Sequence, residues 1–298
     1  MNILQIGVPK CGNFWIYQII QRILQMSGAE VKNFIQNHPI YPLAKSWDLN
    51  FPDQASINVL DITDHQCSYR ISSIFRMPVE DMEVYARSSS HIWTHSPVCK
   101  VSGHIFELFD KKVYVIRDPR DRAISAAGYY CSEYMMKYYP QKEKDPVRYL
   151  EKNFDVLMRE WVWHVWDHLR LSKEYDIHIM FYENLLNDFQ SELAGLLNYL
   201  KIDLSESDRN TLESASSFSN LKKQNPKHLS KGTSGYWVDT LTKDQIEKSE
   251  LIAGPLIRYL KYTGDRNEPL SFNYTDGEDV FENLKDEIIN SPLKILQY

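Results

Sequence analysis

The chain has 298 residues, 43% of them apolar, enough to bury the core of one large α/β domain or two smaller ones, and we expect one. A formal net charge of -6 argues against a broad nucleic-acid-binding surface, so any anion site must be a local concentration of lysine and arginine. The four cysteines are scattered without metal-finger spacing, and no apolar run approaches the roughly 18 residues of a spanning helix. With a first strand that begins almost at the N-terminus, these features predict a cytoplasmic protein without a membrane span.

A strand, a tight loop and a helix start are predicted in the first 15 residues. An apolar run over residues 3–7 meets Pro9, which cannot donate to a strand ladder, and then Gly12, which permits a left-handed turn. Isoleucines recur at helical spacing after the loop. Free amides and the positive end of a helix dipole attract phosphate, and Lys10 adds a full charge, so the loop is a predicted phosphate site.

The loop differs from the nucleotide-binding pattern G-x-x-x-x-G-K-[ST], because Lys10 precedes Gly12 and no serine or threonine follows to hold magnesium. The order Pro-Lys-x-Gly-x-x-Trp instead resembles the phosphosulfate-binding loop of sulfotransferases, usually written PKSGTTW. That resemblance implies a grip on the 5'-phosphosulfate end of 3'-phosphoadenosine-5'-phosphosulfate (PAPS). Asn13 and Phe14 replace two threonines, although the Asn13 amide can still donate. The implied contacts are Lys10, Cys11, Gly12, Asn13, Phe14 and Trp15.

The stretch that follows the first helix predicts an acceptor site. Residues 33–60 carry several prolines and no sustained period, so we expect irregular structure with short elements that wall this site. Residues 67–87 predict a short helix near Pro78, because acidic residues suit a first turn. The β-prone run over residues 91–97 then resembles the KTHLP segment of cytosolic sulfotransferases. The resemblance implies that His95 is the general base, with Trp93 where the family has a second lysine; a structural histidine is the alternative.

Residues 112–116 predict a buried strand that runs into a second phosphate motif. The motif resembles the sulfotransferase pattern R-[ND]-P-[RK]-D-x-x-x-S, which implies that Arg117 and Ser125 hold the 3'-phosphate of the cofactor. A guanidinium fork matches phosphate oxygens, and charge-assisted hydrogen bonds are strong. The alternative is a solvated charge cluster at a helix start.

A long helix is predicted over residues 149–171, where His164 and His168 are explained by core packing rather than by a metal. Residues 177–181 predict a strand, and residues 193–200 an amphipathic helix. The strand ends in Tyr182-Glu183-Asn184, which resembles the family's YE[DN] segment and implies that Tyr182 lies near the adenosine moiety.

Two later segments resemble the remaining cofactor contacts. Residues 216–226 resemble TSF-x-x-M-K-x-N-P, which implies that Phe218 stacks on adenine opposite Trp15. Residues 230–237 resemble RKG-x-x-GDW, which implies that Ser230, Lys231 and Gly232 close over the 3'-phosphate, with Ser230 in place of arginine. The short connection between these segments implies a more open acceptor site, suited to a bulky or carrier-presented alcohol.

The resemblance runs to about residue 262 and implies an α/β fold in a single domain, residues 1–263, with a mainly parallel central sheet. This is the sulfotransferase fold, related to the P-loop nucleotide kinases. Residues 264–298 turn acidic and read as a tail, an appended helix near residues 279–290 or an interface element. No segment stands out as a dimer interface.

The implied reaction transfers a sulfuryl group from PAPS to an acceptor hydroxyl and leaves adenosine 3',5'-bisphosphate (PAP), with no metal required. His95 accepts the proton and Lys10 stabilises the departing phosphate. Two alternatives remain: a PAPS-binding protein without turnover and, less favoured, an ATP-dependent P-loop kinase. Cys11 in the phosphate loop adds the hypothesis that binding is sensitive to oxidation.

Overall fold

The computed structural model describes residues 1–224, 232–262 and 269–297. Within these residues one sheet contains seven strands, which are β1 Ile3–Ile6, β2 Val59–Ile62, β3 Cys67–Ile71, β4 Phe75–Pro78, β5 His91–Thr94, β6 Lys111–Ile116 and β7 Ile177–Phe181. Their order across the sheet is β4-β3-β2-β5-β1-β6-β7. The strands from β2 to β7 in this order are parallel, and β3 and β4 add an antiparallel edge. The expected α/β fold with a mainly parallel sheet is confirmed.

The helices range from long segments that pack in the core to single turns in the connections. In the first half they are α1 Asn13–Met26, α2 Phe34–Asn37, α3 Tyr41–Ala44, a 3₁₀ helix Pro52–Ser56, α4 Met82–Arg87, α5 Ser102–Glu107, α6 Pro119–Tyr130 and α7 Glu133–Tyr138. In the second half they are α8 Pro146–Leu171, α9 Tyr182–Asn187, α10 Phe189–Leu200, α11 Glu206–Ser216, α12 Phe218–Gln224, α13 Trp237–Thr240, α14 Lys243–Tyr259 and α15 Glu278–Ile289. Among the described residues, none of these helices is long and apolar enough to cross a bilayer.

Central strands of this sheet are buried on both faces, which is why their sequences are continuous apolar runs rather than alternating ones. All four residues of β1 are buried, and so are the last five of β6. The long helix α8 packs against α6 and α14 and buries Trp161 completely. The strands and the long helix predicted from apolar patterns are confirmed as β1, β6, β7 and α8.

The segment before β5 contains one predicted element and two that were not predicted. The short helix expected near Pro78 is present as α4, and the antiparallel strands β3 and β4 precede it. Their turn contains Ser72, a non-glycine residue with φ 55°. The pairing partner β2 lies on the far side of a loop, so the local sequence pattern does not reveal the hairpin.

The described part of the C-terminal region packs into the same core. Phe281 and Ile288 of α15 are buried, and the indole nitrogen of Trp166 in α8 donates to the carbonyl of Phe281 at 2.8 Å. The helix expected near residues 279–290 is therefore present, and it covers α8 and α14.

Candidate active site

The site lies at the carboxyl ends of four neighbouring parallel strands, the position where open α/β sheets bind ligands. His95 follows β5, the loop with Lys10 follows β1, Arg117 follows β6 and Tyr182 follows β7. All four side chains line one cavity of about 660 Å³. Sequence motifs as far apart as Lys10 and Tyr182 thus converge because their strands are adjacent in the sheet.

The backbone of the first loop is held in a left-handed conformation. Lys10 has φ 74° and Gly12 has φ 92°, directly before α1 begins at Asn13. A Cβ atom on Gly12 would lie 2.5 Å from Cδ2 of Tyr182, so the position has room only for glycine. The Gly12 carbonyl accepts the amides of Trp15 and Ile16, at 2.9 and 3.1 Å, so this loop leads directly into the N-terminus of α1, the end of a helix that favours an anion.

Asn13 braces the loop from inside. Its Nδ2 donates to the carbonyl of Val8 at 2.8 Å, and its own carbonyl accepts from Gln5 Nε2 at 2.8 Å. The Asn13 side chain, expected as a donor to phosphate, is therefore used within the protein. Asn13 therefore contributes to the site through its backbone, as the first residue of α1.

Cys11 turns its thiol into the hydrophobic core and is fully buried. Burial raises the pKa of this thiol to about 12, against the opposing charges of Arg122 and Arg117. A buried, protonated thiol is a poor nucleophile. The structure therefore argues against oxidation sensitivity at Cys11 and leaves only its backbone in the loop.

Lys10 is half-buried and lines the cavity beside the loop. Its ammonium lies 4.3 Å from the centroid of the Tyr129 ring. Burial, followed by the charge of Arg117, lowers the pKa of Lys10 to about 8. Two cations held close together in a desolvated cavity favour an anionic ligand, because its charge offsets both penalties.

Arg117 is fixed by the protein from several sides. It donates to the carbonyls of Lys10 and Thr233, each at 3.2 Å, and to the hydroxyl of Tyr236 at 3.3 Å. Its guanidinium lies 4.2 Å from the centroid of the Tyr182 ring, and its buried Nε has no acceptor among the described residues. Burial lowers its pKa, but the neighbouring tyrosines and carboxylates raise it overall, so Arg117 stays charged. Ser125, in α6, lines the same cavity.

His95 is oriented by a short hydrogen bond. Its Nδ1 donates to the carbonyl of Gly7 at 2.6 Å, which places the proton on Nδ1 and leaves Nε2 as the acceptor nitrogen. Burial lowers the pKa of His95 to about 4, and the charge of Arg70 adds to this effect. The imidazole is therefore neutral at physiological pH and able to accept a proton.

His164 and His168, by contrast, belong to the core. Their rings stack 4.4 Å apart, and His164 Nδ1 shares a hydrogen bond with the hydroxyl of Tyr114 at 2.9 Å. Across the described ranges no group of three or more histidines, cysteines and acidic residues could hold a metal ion.

The opposite end of the cavity offers flat surfaces for a heterocycle. Trp15, Tyr182 and Phe218 line it, and Trp15 is fixed by an Nε1–H that donates to the carbonyl of Ser216 at 2.8 Å. Gly232 has φ 64° and lies against Phe218, since a Cβ atom at this position would be 2.2 Å from the ring. Ser230 and Lys231 lie outside the described residues.

The N-terminal turn of α6 ties the separate loops together, which the motif search did not reveal. Asp121 accepts hydrogen bonds from the amides of Gly235 and Trp237. Arg122, fully buried and paired with Glu160, donates to the carbonyl of Pro9 at 2.9 Å. Both residues lie inside the quoted second motif, so their positions could be found from sequence although their contacts could not.

The wall beyond His95 is apolar and aromatic, with a charged patch at its edge. A cluster separate from the main core consists of Phe14, Tyr17, Phe51, Ile57, Val59 and Trp93. Trp93 contacts His95 edge to face, with centroids 5.1 Å apart. Asp61, Arg70 and Arg76 line the cavity beside this cluster.

Comparison with known proteins agrees with this geometry. Residues 2–261 match the sulfotransferase domain family. Rat (Rattus norvegicus) sulfotransferase 1 family member D1 is 27% identical over 268 residues, which span 84% of this chain and 81% of the relative.

Solved structures share the fold. The mouse sulfotransferase SULT7A1 complexed with PAP has a TM-score of 0.54 at 18% identity, covering 96% of this chain and 87% of its own. Retinol dehydratase in a complex with retinol and PAP has a TM-score of 0.57 at 16% identity, covering 86% and 81%. With a family match over almost the whole chain and the phosphate loops in place, this protein belongs to the sulfotransferase domain family.

Proposed function

We propose that this protein transfers a sulfuryl group from PAPS to an acceptor hydroxyl and releases PAP, with His95 as general base and Lys10 stabilising the departing phosphate. One observation carries the proposal: a neutral, oriented histidine and a half-buried lysine line the same cavity as Arg117. The relatives whose structures contain PAP support the choice of nucleotide.

The residues at the donor end fit PAPS. Two cations, the half-buried Lys10 and the buried Arg117, line this part of the cavity, and the Arg117 Nε–H has no acceptor among the described residues. Gly12 and Gly232 allow the backbone to pack directly against the rings of Tyr182 and Phe218, which line this cavity. When bound, PAPS supplies an activated sulfuryl group on a phosphate leaving group. We assign the 5'-phosphosulfate to Lys10 and the backbone at residues 11–14, and the 3'-phosphate to Arg117, Ser125, Gly232 and, outside the described residues, Ser230 and Lys231.

His95 acts on the acceptor side. The Gly7 carbonyl holds the proton on Nδ1, so the lone pair of Nε2 is available for the proton of an acceptor hydroxyl. A pKa of about 4 keeps the ring neutral well below physiological pH. The low basicity of His95 lowers the driving force for proton transfer. This loss is small if the proton moves late, because the acceptor hydroxyl becomes more acidic as its oxygen bonds to sulfur.

Lys10 acts on the donor side. Its ammonium has no charged partner among the described residues and rests on the Tyr129 ring, so it can swing to a phosphate oxygen without breaking an ion pair. Charge that develops on the leaving phosphate is stabilised most at the transition state. Because Trp93 replaces the family's second lysine, Lys10 carries this role alone.

The acceptor is a hydroxyl-bearing molecule, and we propose that the wide cavity serves a bulky or carrier-presented alcohol. The named complex of a structural relative contains retinol, an alcohol of considerable size. All four cysteines are free thiols, which supports the proposed cytoplasmic location.

The test is a His95→Gln variant assayed with labelled PAPS and a panel of phenols and alcohols. We expect turnover to fall by roughly 10²–10⁴-fold, since a general base contributes that much, while PAP affinity stays within about twofold. His104→Gln on the exposed face of α5 is the matched control and should keep wild-type turnover. Equal turnover in the wild type and His95→Gln would contradict the assignment, and PAP binding without turnover by the wild type would favour the silent PAPS-binding protein.

A further inference from the structure

Two arginines face each other on the antiparallel edge of the sheet. Arg70 of β3 and Arg76 of β4 are directly opposite in the strand register. Like charges at such a cross-strand pair are destabilising unless an anion lies between them. Their side chains nevertheless both line the cavity that contains His95.

Asp61 of the neighbouring strand β2 supplies one anion. Arg70 Nε donates to Asp61 Oδ1 at 3.0 Å, and Arg76 donates to Asp61 Oδ2 through Nε at 3.0 Å and through Nη2. Burial raises the pKa of Asp61, but the charge of Arg70 and the hydrogen bonds from Arg76 and Arg70 lower it overall, so the carboxylate stays ionised. One carboxylate against two guanidiniums leaves one positive charge in excess.

The two guanidiniums also have donors to spare. Each arginine carries five N–H groups, and among the described residues the pair makes four protein hydrogen bonds, the fourth from Arg70 Nη1 to the Ser72 carbonyl at 3.0 Å. Both oxygens of Asp61 already accept from arginine. A cationic ligand would therefore meet a satisfied carboxylate and an excess of positive charge, whereas an anionic ligand would meet free donors.

The patch is built on a constrained backbone. Ser72, whose carbonyl fixes Arg70, is buried and has φ 55°, in the left-handed region. Strain of this kind persists where surrounding structure enforces it, and it is concentrated at binding sites. Arg70 is also close enough to His95 that its charge lowers the pKa of the imidazole.

We propose that Arg70 and Arg76 form a carboxylate-binding subsite at the acceptor end of the cavity, so that the acceptor class is hydroxyl-bearing carboxylic acids. This inference rests on the proposed function of the same cavity. The aromatic wall of Phe14, Phe51 and Trp93 would hold the body of such an acceptor, with its hydroxyl at His95 and its carboxylate at the arginines. The bidentate match of guanidinium and carboxylate supplies both affinity and orientation.

The experiment compares three phenols, each assayed with PAPS: 3-(4-hydroxyphenyl)propanoate, its primary amide of nearly the same shape, and tyramine as a shorter cationic analogue. We expect kcat/KM for the carboxylate to exceed that for the amide by roughly 10- to 100-fold, the worth of one charge-assisted hydrogen bond, and tyramine to be the poorest. Arg76→Gln should lower the ratio of kcat/KM for the carboxylate to kcat/KM for the amide by at least about fivefold. Arg76 is 62% exposed, so this variant should fold. A merely structural role would lower both rates and leave their ratio unchanged.

Arg87→Gln is the matched control, because Arg87 is 78% exposed on α4 and pairs with Glu83 outside the cavity. It should leave all three rates unchanged. If the amide and carboxylate react equally, the subsite is overturned while the transferase activity stands.

If PAP binds but no phenol reacts, calorimetry of the carboxylate and amide with the PAP-loaded protein decides instead. Equal affinities overturn the subsite, and tighter carboxylate binding that weakens in Arg76→Gln supports it. If the wild type does not bind PAP at all, the proposed function fails, and this outcome is distinct from failure of the carboxylate subsite.

Discussion

Lys10 is the residue whose charge state is most sensitive to the ligand. In the free protein burial and the nearby charge of Arg117 lower its pKa to about 8. A phosphate beside the ammonium favours the charged form and raises that pKa again. Phosphate binding and protonation of Lys10 are therefore coupled, and each strengthens the other.

This coupling predicts how PAP affinity depends on pH. Below about pH 8 Lys10 is already protonated and affinity should be constant, whereas above about pH 8 binding must take up a proton and affinity should fall towards tenfold per pH unit. Calorimetric titration between pH 6.5 and 9.5 measures the dependence. Lys10→Met should bind more weakly without this fall, and the exposed Lys100→Met should behave as the wild type. A pH-independent affinity in the wild type would show that Lys10 does not contact the nucleotide.

At the scale of elements, α6 is the part that organises the donor site. Arg117 comes directly before it, Asp121 in its first turn holds the backbone of residues 235–237, and Arg122 holds the first loop through the carbonyl of Pro9. One helical turn therefore sets the relative position of three loops that are far apart in sequence. The loop after β1 adds its own constraint, since Gly12 is left-handed and packed on Tyr182.

Alanine substitutions at two glycines near this site distinguish strain in the phosphate loop from the ordinary effect of glycine on helix stability. Gly12→Ala places a Cβ in a left-handed position against Tyr182, and we expect about 1–3 kcal/mol less free energy of unfolding and at least roughly tenfold weaker PAP binding. Gly128→Ala, in α6 with nothing within 4 Å of its Cβ, should add about 0.5–1 kcal/mol of stability and leave affinity unchanged. Urea unfolding and calorimetry measure both. Wild-type affinity in Gly12→Ala would mean that the loop adapts and is not a fixed cradle.

For the molecule as a whole, much of the fold follows from local pattern. Apolar runs and helical periodicity located β1, β6, β7 and α8, because buried parallel strands and long helices carry their signal in contiguous residues. The hairpin of β3 and β4 was not predicted, since it depends on pairing with β2 and on the contacts of Arg70 and Arg76 with Asp61. The packing of α15 on α8 likewise depends on contacts that no local pattern encodes.

The site divides in the same way. Motif spacing located Lys10, Arg117 and Ser125, whose roles depend on short stretches of chain, and the structure brings all three to one cavity. Tyr129, which holds the Lys10 ammonium, has no motif of its own, because its position depends on α6 lying beside the first loop. The contacts of Asn13 and Cys11 required a knowledge of which way each side chain turns.

The C-terminal region provides a test of global packing. Phe281 is 3% exposed and contacts the core around Trp166, so Phe281→Ala should lower the free energy of unfolding by about 3–5 kcal/mol through a cavity. Val156→Ala, 56% exposed on α8, should change it by less than about 0.5 kcal/mol. Thermal unfolding measures both variants. Wild-type stability in Phe281→Ala would show that residues 278–289 are not part of the cooperative core.

The most direct test of the central claim is calorimetric titration of the protein with PAP beside ADP and magnesium. The claim predicts a clear preference for PAP, weakened at least roughly tenfold in Arg117→Ala, because the guanidinium fork would lose its 3'-phosphate. Preference for ADP with magnesium, or no binding of PAP, would contradict the claim and point back to a P-loop kinase.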